Sequence, residues 1–82
     1  MHIKVLGPGC MNCKTLERRT IEALQELKIV AQVEKVEDYR EIASYGILRT
    51  PGLVIDETVV ASGVVPKVEE IKSLILIHTV DA

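Results

Sequence analysis

The chain has 82 residues, ten Lys or Arg against twelve Asp or Glu, a formal net charge of −2, and 48% apolar side chains. With no basic run longer than Arg18-Arg19, two Tyr, and neither Phe nor Trp, nothing supports phosphate-backbone binding or base stacking. The length fits one small domain spanning residues 1–82, and its Val, Ile, Leu and Ala are enough for a compact core.

Ile3-Lys4-Val5-Leu6 reads as a short apolar strand, hence a central one. A flexible loop, Gly7-Pro8-Gly9, leads into an amphipathic helix from Cys10 to about Lys28. Its stripe is Cys13, Leu16, Thr20, Leu24 and Leu27, at helical spacings of three and four. Ile29 to Val36 is a second strand, with Ile29, Ala31 and Val33 on one face and Val30, Gln32 and Glu34 on the other. A short helix from Asp38 to Tyr45 opens with a capping-box-like Asp38-x-x-Glu41 and stops before Gly46. Leu53–Ile55 and Thr58–Ala61 form a hairpin around Asp56-Glu57, with Gly63 marking a bulge or strand end. Pro66 fits the first turn of a last helix, whose stripe is Val68, Ile71, Leu74 and Ile75. The order βαβ, α, ββ, α predicts an α/β fold: a four-stranded mixed sheet flanked by three helices, with a right-handed parallel crossover before an antiparallel hairpin.

The chemistry centres on Cys10-Met11-Asn12-Cys13, which holds the chain's only two cysteines. Cys13 belongs to the buried stripe, whereas Cys10 sits one turn earlier at the helix tip. The thiolate is the attacking species, and an ordinary cysteine, with a pKa of about 8.5, is mostly protonated at neutral pH. Unpaired N–H groups and the positive end of the helix dipole favour a thiolate at Cys10, and Lys14 adds positive charge one turn on. The expected mechanism is attack by Cys10, a mixed disulfide, and resolution by Cys13. Taken alone, C-x-x-C favours a redox pair, ahead of a metal site and then of two packing thiols.

Cysteine helix, element order and Thr50-Pro51 just before the hairpin together resemble the thioredoxin fold over nearly the whole chain. The likeness is closest to small thioredoxin-like or glutaredoxin-like redox-active disulfide proteins of archaea and bacteria, which lack the extra N-terminal strand and helix. The resemblance implies that Cys10 is the nucleophile and Cys13 the resolving thiol. It also implies that the Thr50-Pro51 bond is cis and that Thr50 and Pro51 bind substrate, the backbone of Thr50 pairing with it. Three features depart from the family pattern. Gly9 replaces the Trp before the first cysteine, Met11-Asn12 replaces Gly-Pro between the pair, and Lys4 stands where ordinary thioredoxins bury an acid. Ala61-Ser62-Gly63-Val64-Val65 has no acid to match the glutathione-holding segment of glutaredoxins.

The expected activity is therefore thiol–disulfide oxidoreduction in cell redox homeostasis and electron transport. Its expected substrates are protein disulfides, it needs no bound cofactor, and electrons come from a separate flavoprotein reductase of the thioredoxin-reductase type. Met11, Ile47 and Val64 are expected to line the contact surface. No secretory leader is read, and Leu74–Ile77 is too short to cross a bilayer, so a cytoplasmic monomer is expected, without membrane or nucleic-acid partners. The alternative is a soft-metal module in which both thiolates hold Cu(I), as in small copper chaperones. Those domains follow β-α-β-β-α-β order and carry Met where Pro8 stands. Zinc has less support, because His2 and His78 lie far outside the short ligand spacing of zinc modules. His2 reads as a surface residue, His78 as a partly buried helix-end residue, Tyr39 and Tyr45 as packing residues, and Lys14, Arg18 and Arg19 as a solvated helix face.

Overall fold

The computed structural model describes residues 1–80. Its elements are β1 (His2–Leu6), α1 (Met11–Leu27), β2 (Gln32–Val36), α2 (Tyr39–Ser44), β3 (Gly52–Ile55), β4 (Thr58–Ser62) and α3 (Val68–Val80). The sheet order is β2-β1-β3-β4. β1 pairs parallel to β2 and antiparallel to β3, which pairs antiparallel to β4. This is the predicted mixed sheet, with β1 in its interior.

Strand alternation sends side chains to two separate cores. Ile3 and Val5 of β1 and Leu53 and Ile55 of β3 pack with Leu16, Ala23 and Leu24 of α1 and Ile71 and Ile75 of α3. On the opposite face, Leu6, Val36 and Val54 meet Ile42 of α2, with Tyr45, Ile47 and Val59 at the margin. The register Val5↔Leu53 and Lys4↔Val54 keeps each set on its own side. Thr20, a polar member of the α1 stripe, is fully buried and donates to the Leu16 carbonyl at 2.8 Å.

Three local expectations are corrected. The second strand starts at Gln32 rather than Ile29, because α1 ends in a left-handed turn at Lys28 (φ 57°) and the Ile29 N–H bonds back to the Leu24 carbonyl at 3.0 Å. Ile29 and Ala31 still face the core. Gly63 (φ 72°) marks the end of β4, one of the two roles read for it, and the bulge lies within the strand, where the register jumps from Leu53↔Ala61 to Val54↔Val59. Pro66 precedes α3 instead of occupying its first turn. The helix begins after Lys67, whose N–H donates to the Glu70 carboxylate at 3.3 Å and whose carbonyl accepts from Ile71 N–H at 3.0 Å. Finally, Tyr39 is an exposed residue of α2 rather than a packing one.

The other signals act as read. Asp38 caps α2 by accepting the Arg40 N–H at 2.8 Å. Asp56 and Glu57 both take positive φ (47° and 69°), giving a two-residue hairpin turn whose twist matches the flanking strands without a glycine.

Candidate active site

β1 delivers the chain to the site through Gly7. This residue is buried, not part of a flexible loop: its N–H continues the β1–β2 ladder to the Val36 carbonyl at 2.9 Å. Gly9 (φ 90°) then makes the turn into α1. Cys10 is the N-cap, with extended backbone (φ −71°, ψ 169°), and its Sγ accepts the Cys13 N–H at 3.3 Å. The sulfur thus takes the place of the Ser or Asp oxygen that usually satisfies a helix's first N–H groups.

The two thiols occupy opposite environments. Cys10 is exposed, whereas Cys13 is 5% exposed; both are free. The hydrogen bond from the Cys13 thiol, followed by that from its backbone N–H, holds the Cys10 thiol below its ordinary pKa. Burial, followed by the hydrogen bond to Cys10, pushes the Cys13 thiol up. A proton shared between the sulfurs therefore belongs on Cys13 while Cys10 carries the charge. Hydrogen bonds lead on the Cys10 side of this asymmetry and burial on the Cys13 side, with Lys14 lying exposed to solvent.

Gly7 organises the second half of the site. A Cβ there would collide with Cys13 Sγ, so the missing side chain is what lets the strand end and the cysteine approach one another, with Thr50 Cβ 3.9 Å from the same point. The Thr50-Pro51 peptide is cis. Pro51 is fully buried and its carbonyl accepts the Gly63 N–H at 2.8 Å, while Thr50 is exposed. Thr50 and the cysteines thus converge on one end of the sheet, with Pro51 joined to Thr50 and the end of β4.

Several side chains differ from expectation. Met11 (79% exposed) and Val64 (55%) are presented as predicted, but Ile47 turns inward against the small core and approaches Gly52. Its neighbour Leu48, 99% exposed, takes the outward role. Apolar alternation around Gly46 did not distinguish the two. Arg19 is half-buried rather than part of a solvated face: its Nη1 donates to the carbonyls of Val65 at 3.3 Å and Pro66 at 3.1 Å. No sequence pattern marks such a long-range contact.

Lys4 lies on the α2 side of the sheet, where its Nζ meets the Glu57 carboxylate at 2.8 Å and the Tyr45 hydroxyl at 2.6 Å. Those partners, Glu57 first, hold the ammonium well above its usual pKa, and Lys4 in turn lowers the Glu57 carboxyl. The cation at the acid's position is thus tied up in an ion pair of its own.

His2 Nε2 lies 3.0 Å from Glu34 Oε1, and His78 is half-buried in the last turn of α3. Among the described residues, no group of three or more His, Cys, Asp or Glu side chains is placed to hold a metal ion. No helix among them is long and apolar enough to cross a membrane. The element order, with its closing helix, also differs from the β-α-β-β-α-β order of the copper carriers.

Comparison with known proteins agrees with this geometry. A family profile described as a thioredoxin domain matches residues 1–76. A protein named thioredoxin from Methanothermobacter thermautotrophicus is 39% identical over 75 residues, covering 92% of this chain and 97% of that protein. Another of the same name from Methanocaldococcus jannaschii is 40% identical over 70 residues, covering 85% of this chain and 80% of its own. With the mixed sheet, the cysteine pair at a helix tip and the cis proline before the hairpin, the chain belongs to the thioredoxin family of disulfide oxidoreductases.

Proposed function

We propose that Cys10 and Cys13 perform the disulfide exchange, with Cys10 as nucleophile and Cys13 as resolving thiol. The observation that carries this reading is the opposed placement of the two sulfurs: one exposed and lowered by hydrogen bonds, the other buried and raised. The Cys10 thiolate attacks one sulfur of a substrate disulfide, forms a Cys10–substrate disulfide, and expels the other sulfur as a thiolate that takes up a proton. Once Cys10 is bonded to substrate, its negative charge and its hold on the Cys13 proton are gone. Cys13 then yields its proton and attacks Cys10 Sγ, releasing the second substrate thiol. The substrate gains two electrons and the protein keeps a Cys10–Cys13 disulfide.

Protein disulfides are the proposed substrates. The Thr50 backbone pairs with an extended substrate segment beside Pro51, and Met11, Leu48 and Val64 supply the apolar surface. A separate flavoprotein reductase of the thioredoxin-reductase type returns the pair to the dithiol, and the protein works as a cytoplasmic monomer and single domain without a bound cofactor.

The test is single turnover of the pre-reduced protein on insulin, with Cys10→Ser and Cys13→Ser beside it. Reduction by wild type, none by Cys10→Ser, and a trapped adduct on Cys10 in Cys13→Ser are expected. No reduction and no adduct would shift the assignment to soft-metal binding, with Cu(I) titration as its direct check. The thiol asymmetry has its own readout. Because the Cys10 pKa is lowered, alkylation by iodoacetamide should be lost only as pH falls through a midpoint below the ordinary value of about 8.5, with Cys13 reacting at higher pH.

A further inference from the structure

Three segments must keep fixed distances for a protein substrate to dock: the cysteine helix, the Thr50-Pro51 turn, and the chain between β4 and α3 that presents Val64. The first two meet at Gly7, against which Cys13 packs closely with Thr50 nearby, and the second and third are joined by the Gly63 N–H bond to the Pro51 carbonyl. The remaining side of this triangle runs from the third segment back to the cysteine helix. Beyond Gly63 the chain passes through Val64, Val65 and Pro66 before α3 begins at Val68. Two carbonyls there, those of Val65 and Pro66, turn toward α1 in partly buried surroundings, and both are met by Arg19 Nη1. Arg19 lies on α1, six positions after Cys13. A charged donor shared by two part-buried carbonyls makes stronger bonds than a neutral one, and its loss leaves both carbonyls without that partner.

We propose that Arg19 is a positioning residue for macromolecular substrates: it closes the triangle by fixing the Val64-bearing segment against the cysteine helix. The proposal rests on the disulfide-exchange reading above. Arg19 touches neither sulfur, and the hydrogen bonds that set the Cys10 thiol come from Cys13, so its removal changes where a protein docks and not how the thiolate reacts. A small disulfide such as cystine, which needs only an accessible Cys10, does not sense the change.

The experiment compares wild type, Arg19→Gln, Arg19→Lys and Lys72→Gln, all full-length and pre-reduced, in single-turnover reduction of insulin and of cystine. Lys72 is the control. It bridges α3 to α1 through Glu26 at 3.1 Å, so its loss loosens the same helix pair without touching the Val65-Pro66 carbonyls. Arg19→Gln should raise the half-saturating insulin concentration about fivefold or more, the scale of one lost charge-assisted bond, with cystine rate and Cys10 alkylation midpoint unchanged. Arg19→Lys, which keeps the charge but not the planar fork, should fall between wild type and Arg19→Gln. Lys72→Gln should lower thermal stability with no insulin-specific change. Equal losses on insulin and cystine, or the same insulin defect in Lys72→Gln at matched stability, would overturn the proposal in favour of a purely structural arginine. Failure of wild type itself on both substrates would instead remove the disulfide-exchange reading, and this proposal with it.

Discussion

The two faces of the sheet are covered unequally. Two long helices, α1 and α3, close one side with a mainly apolar set of side chains, Thr20 being the buried polar member. On the other, the six-residue α2 contributes a single buried side chain, Ile42, and Tyr45, Ile47 and Val59 are only partly covered. The polar cluster of Lys4, Tyr45 and Glu57 completes this cover, with the Lys4 ammonium also 5.4 Å from the Tyr45 ring centre. A lysine in a central strand is tolerated because its stem covers apolar surface on the thin side while its head reaches two polar partners at the rim. Coverage, more than strand position, decides what a sheet residue can be.

Core truncations sharpen the contrast first. Leu16→Ala, on the thick face, should cost about 4 kcal/mol by urea unfolding, since two rigid helices and the sheet cannot collapse around the void. Ile42→Ala, under a short helix free to settle, should cost about 2 kcal/mol. Native-state hydrogen exchange should then show α2 amides opening well below the global unfolding free energy. Equal costs, or α2 amides that exchange only globally, would erase the distinction.

Gly7→Ala probes the strand end where the two faces meet. Its methyl group would press on Cys13 Sγ, so a loss of about 1 to 2 kcal/mol is expected from overpacking. Displacing Cys13 also weakens the hydrogen bonds that lower Cys10, and the alkylation midpoint of Cys10 should rise. An unchanged midpoint would mean that the asymmetry does not depend on this contact.

The smallest effect concerns the thin face's ion pair. Glu57 is lowered from an ordinary 4.5, so its contribution is complete above that pH and lost as pH falls through the depressed value. Lys4 is raised from 10.5, so its contribution is complete below that pH and lost only as pH rises through the raised value. Thermal stability should accordingly carry a shallow acid limb that Glu57→Gln flattens, leaving its other pH dependence alone. A limb of the same size in Glu57→Gln would show that the pair contributes nothing measurable.

Much of the site is legible before folding is considered. Cys10 and Cys13 are told apart by helical periodicity, because the stripe through Leu16 and Thr20 includes one and omits the other. The end of α2 is announced by Gly46, and its start by Asp38. The cis bond at Pro51 followed from the family resemblance, since an X-Pro dipeptide looks the same whether it is cis or trans. Gly7 read as loop because glycine beside proline ordinarily marks flexibility. Its actual role depends on a cysteine brought against it by the β1–α1 turn.

What the sequence by itself determined is whatever depends on neighbours along the chain: strand alternation, the helix stripe, the caps, and a thiol at a helix tip. These follow from periods of two and 3.6 residues and from backbone groups that must be satisfied locally. Only the tertiary structure decided the contacts made across the chain. It turned Ile47 inward and Leu48 outward, tied Lys4 to Glu57, and sent Arg19 from the cysteine helix to Val65 and Pro66, 46 and 47 residues away. Each depends on which surface remains uncovered once the helices have docked, a property no local pattern carries.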